Sequence, residues 1–229
     1  MVLVEQWRGK RKLRLMDIGG PETAGDLTVE KGDISDLGRM QSLCQGVHTV
    51  VHLAADPRTS APWESLLPAN IIGLYNVFEA ARQAGCRRVV YASTVNVIAH
   101  YPREIVIEPD MPVAPANLYG ATKAWGEAAA YYYAHYHNLS VLCLRLGWVI
   151  SENDERIRPG QPLLPALLTY RDTVSLFDAA VNARQHVHFG IFHGQSDNRI
   201  KRMSIENTRQ VLGYEPVDDA YVLAGIPDS

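Results

Sequence analysis

The alternation of continuous apolar segments with helix-like segments restricts the fold of this chain more than any other feature. Each apolar segment has the length of a strand and ends in polar or small residues. Strands that are apolar at consecutive positions are typical of parallel sheets covered on both faces. The alternation therefore predicts an α/β fold with a doubly wound parallel sheet and helices on both faces. The predicted strands are 13–18, 48–55, 86–94 and 140–150, and the predicted helices are 71–85 and 118–138.

The pattern becomes weaker after residue 150. It predicts a helix over 171–183, a strand over 187–194 and a final amphipathic helix over 203–213. No shift in composition marks a second domain. We therefore predict a single domain over 1–229, with a core over 1–150 and a small cap over 151–229.

The composition is that of an ordinary globular protein, with 47% hydrophobic and 21% charged residues among 229. A chain of this length buries about 70% of its surface on folding, which suffices for a core. The net charge of −3 gives no reason to expect nucleic acid or a membrane as a partner. Cys44, Cys86 and Cys143 form no CxxC pair and the histidines lack the spacing of a metal site. We therefore expect a reducing, cytoplasmic location and no metal.

Tyr119 and Lys123 are the most informative pair of polar residues. Their four-residue spacing places both side chains on one face of a helix. The preceding strand ends at Thr94, and the carboxyl edge of a parallel sheet is where ligands bind. A phenol has a pKa near 10, and a neighbouring ammonium favours the phenolate and lowers that pKa. The three residues predict a site in which Thr94 holds a substrate oxygen while Tyr119 transfers its proton.

These motifs resemble the extended short-chain dehydrogenase/reductase family, the NAD-dependent epimerase/dehydratase group. The resemblance runs from residue 13 to 221 and rests on LRLMDI, GDISD, VVHLAA, NIIGLYN, YAST, YGATK and LRLG. The chain is most similar to uronate dehydrogenases, in PWESLLPANIIGLYNVFEAARQAG and GQSDN…LGYEP. The resemblance implies a Rossmann-like fold and NAD-dependent oxidation or reduction of a small sugar, sugar acid or polyhydroxylated carbonyl compound. It also implies a homodimer in which helix 118–138 forms part of the interface.

The resemblance further implies roles for individual residues. Tyr119 would be the catalytic acid or base, Lys123 its electrostatic partner and ribose anchor, and Thr94 the catalytic hydroxyl. Asp17 would bind the adenosine ribose hydroxyls, which favours NAD over NADP. The other residues that would bind the cofactor are Asp33, Ile34, Leu53, Ala54, Ala55 and Asn70.

The residues expected around the substrate depart from the uronate dehydrogenase pattern. Asn96 stands one position later than the Asn that follows the strand-end hydroxyl in those enzymes. Trp148 replaces a small polar residue after the LRLG strand. A substrate carboxylate would be held bidentately by Arg156 or Arg158, between which the sequence does not decide. These departures predict a pocket different from that of uronate dehydrogenases.

The glycine-rich turn of the family is absent before Asp17, so the cofactor-binding core is expected to be N-terminally truncated. In that turn, backbone amides approach the pyrophosphate at a helix N-terminus. VLVEQW is either the end of the helix that follows the turn or a hairpin strand with RGKRK and LRLMDI. Three explanations stay open: a truncated start, a natural short form that fills the gap, and a relative that no longer binds cofactor. The positive charges of residues 8–14 form either a solvated turn or a substitute phosphate site.

Two other functions compete with that of an oxidoreductase. One is a sugar-nucleotide epimerase or dehydratase, although the C-terminal segment is short for a nucleotide-sugar site. The other is a non-catalytic relative that has lost cofactor binding. Saturation by a sugar nucleotide would support the first, and sugar acid binding without NAD binding would support the second.

Overall fold

The computed structural model describes residues 2–20 and 22–227. Its strands are β1 (Leu15–Asp17), β2 (Thr23–Ala24), β3 (Leu27–Lys31), β4 (Thr49–His52), β5 (Arg88–Thr94), β6 (Ser140–Leu146), β7 (Trp148–Ile150), β8 (Leu167–Thr169) and β9 (Phe189–Gly194). Its α-helices are α1 (Val2–Trp7), α2 (Leu37–Cys44), α3 (Trp63–Leu66), α4 (Gly73–Gln83), α5 (Leu118–Tyr136), α6 (Tyr170–Val181), α7 (Glu206–Leu212) and α8 (Ala220–Leu223). A π-helical turn (Leu67–Ile72) joins α3 to α4, and 3-10 turns occupy Val95–Val97 and Leu164–Ala166.

The main sheet contains four parallel strands in the order β4-β5-β6-β9. Tyr91 of β5 lies between His52 of β4 and Cys143 of β6. Every residue of β5 is buried, because β5 has strand neighbours on both sides and helices on both faces. The sheet is thus most completely buried along β5 and the neighbouring β6, of which only the last residue, Leu146, is partly exposed.

A smaller sheet contains β1 and β3, which are parallel, and β2, which runs antiparallel to β3. Within residues 2–20 and 22–227, no strand pairs with the outer edge of β1 or with that of β4. The two sheets nevertheless share their cores: Met16 and Val50 pack on one face, and Leu13 and Val51 on the other. They therefore belong to one layered body although no hydrogen-bonded ladder joins them.

Helices cover the main sheet on both faces. Helices α2, α4 and α5 pack on one face, where Phe78 and Tyr133 meet edge to face with ring centroids 5.4 Å apart. Helices α1, α6 and α7 lie on the other, where the Trp7 indole donates to Asp178 at 2.8 Å. The predicted doubly wound α/β fold is confirmed.

Residues after 150 contribute to two layers. Strand β9 extends the main sheet beside β6, and α6 covers one of its faces. Strands β7 and β8 form a separate parallel pair, which packs with α8 around Ile150, Leu167 and Ala220. The predicted division at residue 150 stays a prediction.

Most predicted elements are present, with ends within three residues of the prediction, but two differ in extent. The predicted strand 140–150 is broken at Gly147, where any side chain would collide with the Ala166 carbonyl oxygen. The predicted helix 71–85 begins earlier, at Trp63. Pro68 lacks an amide hydrogen, and the chain passes it in a wider turn in which the Gly73 amide donates to the Pro68 carbonyl.

The N-terminal segment forms the helix α1, so the helix interpretation of VLVEQW is confirmed and the hairpin interpretation is wrong. The sequence prediction missed β2, β3, β8, α2 and α8, which are all short, with two to eight residues each. No helix in the described part of the chain is long and apolar enough to cross a membrane.

Candidate active site

Thr94 and the first turn of α5 are tied together at the carboxyl edge of the main sheet. The Thr94 hydroxyl accepts hydrogen bonds from the Asn96 amide at 3.2 Å and from Asn96 Nδ2 at 3.1 Å. Asn96 Oδ1 in turn accepts from Asn117 Nδ2 at 2.8 Å. Asn117 caps α5, because its Oδ1 accepts from the Gly120 amide at 2.8 Å. This chain of bonds fixes Tyr119, on the same turn, relative to Thr94.

Lys123 lies one helical turn beyond Tyr119 and is only 3% exposed. Its Nζ donates to the Ala92 carbonyl at 2.8 Å and lies 4.9 Å from the centroid of the Tyr91 ring. Burial lowers the pKa of Lys123 to about 8, because the charged form loses water. Among the described residues, Ala92 supplies the one hydrogen-bond acceptor to an ammonium that carries three donors.

Tyr119 is buried against Ala61 and Leu66. Burial raises the pKa of its phenol, the hydrogen bond with Thr94 lowers it, and the negative charge of Asp56 raises it further. The net direction is upward. Lys123 Nζ lies 5.9 Å from the centroid of the Tyr119 ring, and the predicted lowering of the Tyr119 pKa by this ammonium stays a prediction.

Asn70 links the end of β4 to α5. Its Oδ1 accepts from the Asp56 amide at 2.8 Å, and its Nδ2 donates to the Asp56 carbonyl at 3.2 Å and to Thr122 Oγ1 at 3.1 Å. Thr122 donates to the Tyr119 carbonyl at 2.7 Å. The buried Asn70 side chain thus holds the loop after β4 against the turn that carries Tyr119.

The residues predicted to line the cofactor along β4 stand at the open carboxyl edge. Leu53 is 52% exposed, Ala54 is exposed and Ala55 is partly exposed. A leucine in that position is not held by the core, so an apolar ligand surface can cover it.

The smaller sheet carries the predicted residues on the adenosine side. Asp17 ends β1, and its Oδ1 accepts from the amides of Gly19 and Gly20. Asp33 follows β3 and accepts from the Ser35 amide at 2.8 Å. Ile34 belongs to the core and faces Gly73, where any side chain would collide with it. The two aspartates are exposed, and Ile34 is buried.

The remaining predicted substrate residues lie in the β7–β8 layer. Arg156 donates through Nε and Nη2 to the two oxygens of Asp154, both at 2.8 Å, and its guanidinium lies 5.8 Å from the Trp148 ring centroid. Arg158 is exposed. Within the described part of the chain, no hydrogen bond, ion pair or ring contact joins these residues to Thr94, Tyr119 or Lys123.

A buried ion pair behind the site was missed by the sequence analysis. Arg145 Nε and Nη2 donate to the two carboxylate oxygens of Glu127 at 2.9 and 2.8 Å, and Ser93 donates to the same carboxylate at 2.6 Å. Glu127 continues the helix face of Tyr119 and Lys123 by one more turn. That spacing, with a charged residue inside the apolar strand β6, was the available signal.

The positively charged side chains of residues 8–14 contact other segments of the same chain. Arg8 pairs with Asp26 and Arg11 with Asp178, while Arg14 donates to main-chain carbonyls. Residues 8–10 form an exposed turn, as one interpretation predicted, and Arg8 and Arg11 are also paired with carboxylates. A substitute phosphate site stays a prediction.

The residues present fit one end of NAD. At the carboxyl edge, the Lys123 ammonium keeps N–H donors that the Ala92 carbonyl does not accept, and Leu53 and Ala54 are exposed. These groups suit a nicotinamide ribose. The described residues contain no glycine-rich turn between a strand and a helix that would cradle the pyrophosphate. No group of three or more His, Cys, Asp or Glu residues in the described ranges is arranged to hold a metal.

Comparison with known proteins supports the same family. The family model of the NAD-dependent epimerase/dehydratase family matches residues 8–189. The chain is 33% identical over 227 residues to an NAD-dependent glucose-6-phosphate dehydrogenase of Haloferax volcanii, covering 93% of this chain and 85% of that enzyme. It is 29% identical to a uronate dehydrogenase of Pseudomonas syringae pv. tomato, covering 95% and 77% of the two chains.

Solved structures agree. The crystal structure of uronate dehydrogenase from Agrobacterium tumefaciens matches with a TM-score of 0.86 and 29% identity over 99% of this chain and 86% of that one. A variant of the same enzyme was solved with NAD and matches with the same TM-score. The sheet order, the placement of Thr94 beside Tyr119 and these matches lead to one conclusion: the chain belongs to the NAD-dependent epimerase/dehydratase family.

Proposed function

We propose that this protein is an NAD-dependent dehydrogenase that oxidises a carbinol of a small sugar or sugar acid. The observation that carries the proposal is the convergence of Thr94, Tyr119 and Lys123 at the carboxyl edge of the main sheet. Relatives that act on glucose 6-phosphate and on uronates support a small polyhydroxylated substrate. Asp17, at the end of β1, supports NAD rather than NADP, since a second phosphate would meet its negative charge.

In this mechanism the substrate hydroxyl lies between Thr94 and Tyr119. NAD would supply the acceptor for the hydride that the carbinol carbon loses. Tyr119, as the phenolate, takes the hydroxyl proton while the C–O bond becomes a carbonyl. The ammonium of Lys123 stabilises the phenolate and binds the ribose hydroxyls with the donors that Ala92 does not use. Thr94 holds the substrate oxygen through the transfer.

The remaining residues of the proposed site are assigned from their positions in the sequence motifs. Asp33, Ile34, Leu53, Ala54, Ala55 and Asn70 are proposed along the cofactor, and Asn96, Trp148 and either Arg156 or Arg158 along the substrate. Asn70 and Asn96 act mainly by positioning, because their side chains already bond to protein groups.

The test is to titrate NAD, NADP and NADH calorimetrically and to follow NADH formation with a panel of sugars, sugar phosphates and sugar acids. The Tyr119→Phe variant is expected to bind NAD and to lose at least about 100-fold in kcat, since the proton acceptor is gone. Tyr136→Phe, a highly exposed tyrosine on the same helix, is the matched control. Unchanged turnover in Tyr119→Phe would sink the mechanism. Saturation by a sugar nucleotide would instead favour an epimerase or dehydratase, and sugar binding without NAD binding a non-catalytic relative.

We also propose a homodimer through the outer faces of α4 and α5. Leu118, Trp125 and Tyr132 recur every seven residues on α5 and are 46%, 39% and 50% exposed, with Tyr75 of α4 similarly exposed. Helices with such an apolar stripe pack against a partner. Light scattering should give about twice the mass of 25.5 kDa, and Trp125→Glu should halve it. A monomer in the unaltered protein would contradict the dimer.

We propose a cytoplasmic location, because the three cysteines are free and buried and free thiols suit a reducing compartment.

A further inference from the structure

The loop after β4, which packs on Tyr119 through Ala61, carries an arginine that neither the mechanism nor the family motifs use. Arg58 lies on this loop, and its side chain is 64% exposed. Its partner Asp56 is 9% exposed. An exposed arginine paired with a nearly buried carboxylate differs from an ordinary surface pair, in which both side chains move freely.

The guanidinium of Arg58 is held in one orientation. Its Nε donates to Asp56 Oδ1 at 2.9 Å and its Nη2 donates to Asp56 Oδ2 at 2.6 Å. The Ser65 hydroxyl donates to the same Oδ2 at 2.5 Å, and the Arg58 amide donates to Oδ1 at 3.1 Å. Both oxygens of Asp56 are thus occupied, so the carboxylate serves as an anchor. None of the hydrogen bonds among the described residues uses Nη1 of Arg58.

The loop that carries this pair forms the wall of the site around Tyr119. Asn70 holds the amide and the carbonyl of Asp56 and connects them through Thr122 to the Tyr119 carbonyl. Ala61, three residues after Arg58, packs on Tyr119. The charge of Asp56 also acts on the Tyr119 phenol. The wall is therefore fixed relative to the group that transfers the proton.

We infer that Arg58 determines specificity by binding an anionic end-group of the substrate, a phosphate or a carboxylate, through its Nη1 edge. This inference rests on the proposed function. A guanidinium oriented in advance loses little freedom when it binds. Nη2 also donates to Ser65 Oγ at 3.3 Å, so the two N–H donors of Nη1 are the ones that remain for the oxygens of such a group. Arg156 has the same Asp-x-Arg geometry with Asp154, but it lies over Trp148 in the β7–β8 layer.

The experiment compares three substrates that differ only at the terminal carbon: an aldohexose, its 6-phosphate and its hexuronic acid. Steady-state constants are measured at saturating NAD for the unaltered protein, Arg58→Gln, Arg58→Lys and Arg156→Gln. Arg87→Gln is the charge-matched control, because Arg87 is exposed and precedes β5 at the opposite edge of the sheet. Thermal unfolding checks that each variant is folded.

Arg58→Gln is expected to lower kcat/KM for one or both anionic substrates by about 10- to 100-fold, through KM, and to leave the neutral sugar and the Kd for NAD within about twofold. Arg58→Lys should restore part of the loss. The phosphate and the acid, measured separately, show which anion the site takes. An equal loss for the neutral sugar, no loss, or a selective loss in Arg156→Gln instead would overturn the inference.

Failure of the proposed function can be distinguished from failure of the inference about Arg58. If the unaltered protein turns over none of the three compounds, calorimetric binding of the sugar 6-phosphate and the hexuronic acid replaces the kinetic measurement. Binding that weakens in Arg58→Gln alone would support Arg58. Equal binding in the variant, or no binding of either anion to the unaltered protein at about 10 mM, would refute it.

Discussion

The four-stranded and the three-stranded sheet differ in how completely they are buried. Every residue of β5 is buried, whereas β1 and β3 contain no buried residue. The four-stranded sheet holds Thr94, with Tyr119 and Lys123 on the helix that covers it. The three-stranded sheet holds Asp17 and leads into Asp33. Proton transfer is thus proposed in the buried part, and cofactor selection in the part with partly exposed strands.

This difference follows from the neighbours of each strand. Strand β5 has a parallel partner on both sides, while one edge of β1 and one edge of β4 have no strand partner within the described ranges. Unpaired strand edges must bond to water or to another chain segment. The polar residues of the three-stranded sheet therefore act in water, where charge interactions are weak, and those behind β5 act in a medium where they are strong.

The largest expected effect concerns ion pairs in the two regions. Glu127→Ala should reduce the free energy of unfolding by about 3–5 kcal/mol, because it leaves the Arg145 guanidinium buried without its carboxylate. The matched change in the three-stranded sheet is Glu30→Ala, which removes the partner of Arg39 from a half-exposed pair at 2.8 Å. It should cost about 0–1 kcal/mol. Urea unfolding measures both, and equal losses would remove the contrast.

A second test uses the pH dependence of the buried ammonium. The folded-state pKa of Lys123 is about 8 and its unfolded value is near 10.5, so the folded chain binds fewer protons between these values. Stability from this group therefore rises with pH across that window, by about 3 kcal/mol in total. We expect the difference in unfolding free energy between the unaltered protein and Lys123→Met to shift in favour of the unaltered protein from pH 8 to 10.5. A flat difference would show that the ammonium is solvated.

The smallest expected effect concerns two helical glycines. A side chain at Gly120 would collide with the carbonyl of Asn96, so Gly120→Ala should cost about 1–3 kcal/mol and disturb the link to Thr94. At Gly38, in the first turn of α2, the nearest atom would be Asp36 Oδ1 at 3.4 Å. Gly38→Ala should stabilise by up to about 1 kcal/mol through the unfolded state. Thermal unfolding of both variants measures the contrast, and two stabilising substitutions would contradict it.

Much of the fold was predictable because its signals are local. Helix α5 was predicted from its periodicity and begins at the predicted residue, Leu118. The family and the oxidoreductase class followed from contiguous motifs, and the comparisons confirm them. Strand β3 was missed, since a short strand with exposed positions carries neither a continuous apolar run nor a helical period.

The candidate site was also predictable where its signals are local. The spacing of Tyr119 and Lys123 requires one helix face, and the strand end at Thr94 requires the carboxyl edge. Their catalytic roles stay predictions. Arg58 was not singled out, because its closeness to Tyr119 depends on the packing of Ala61 and on the hydrogen bonds of Asn70. Such contacts join residues that are far apart in sequence.

The sequence by itself determined the layered α/β fold, the family and the residues that share a helix face, because these depend on periodicity within a few residues. Only the tertiary structure decided which charges are desolvated. It buries Lys123 and pairs Glu127 with Arg145, while Asp17 stays in water. Burial depends on which distant segments meet, and the strength of each charge interaction depends on that burial.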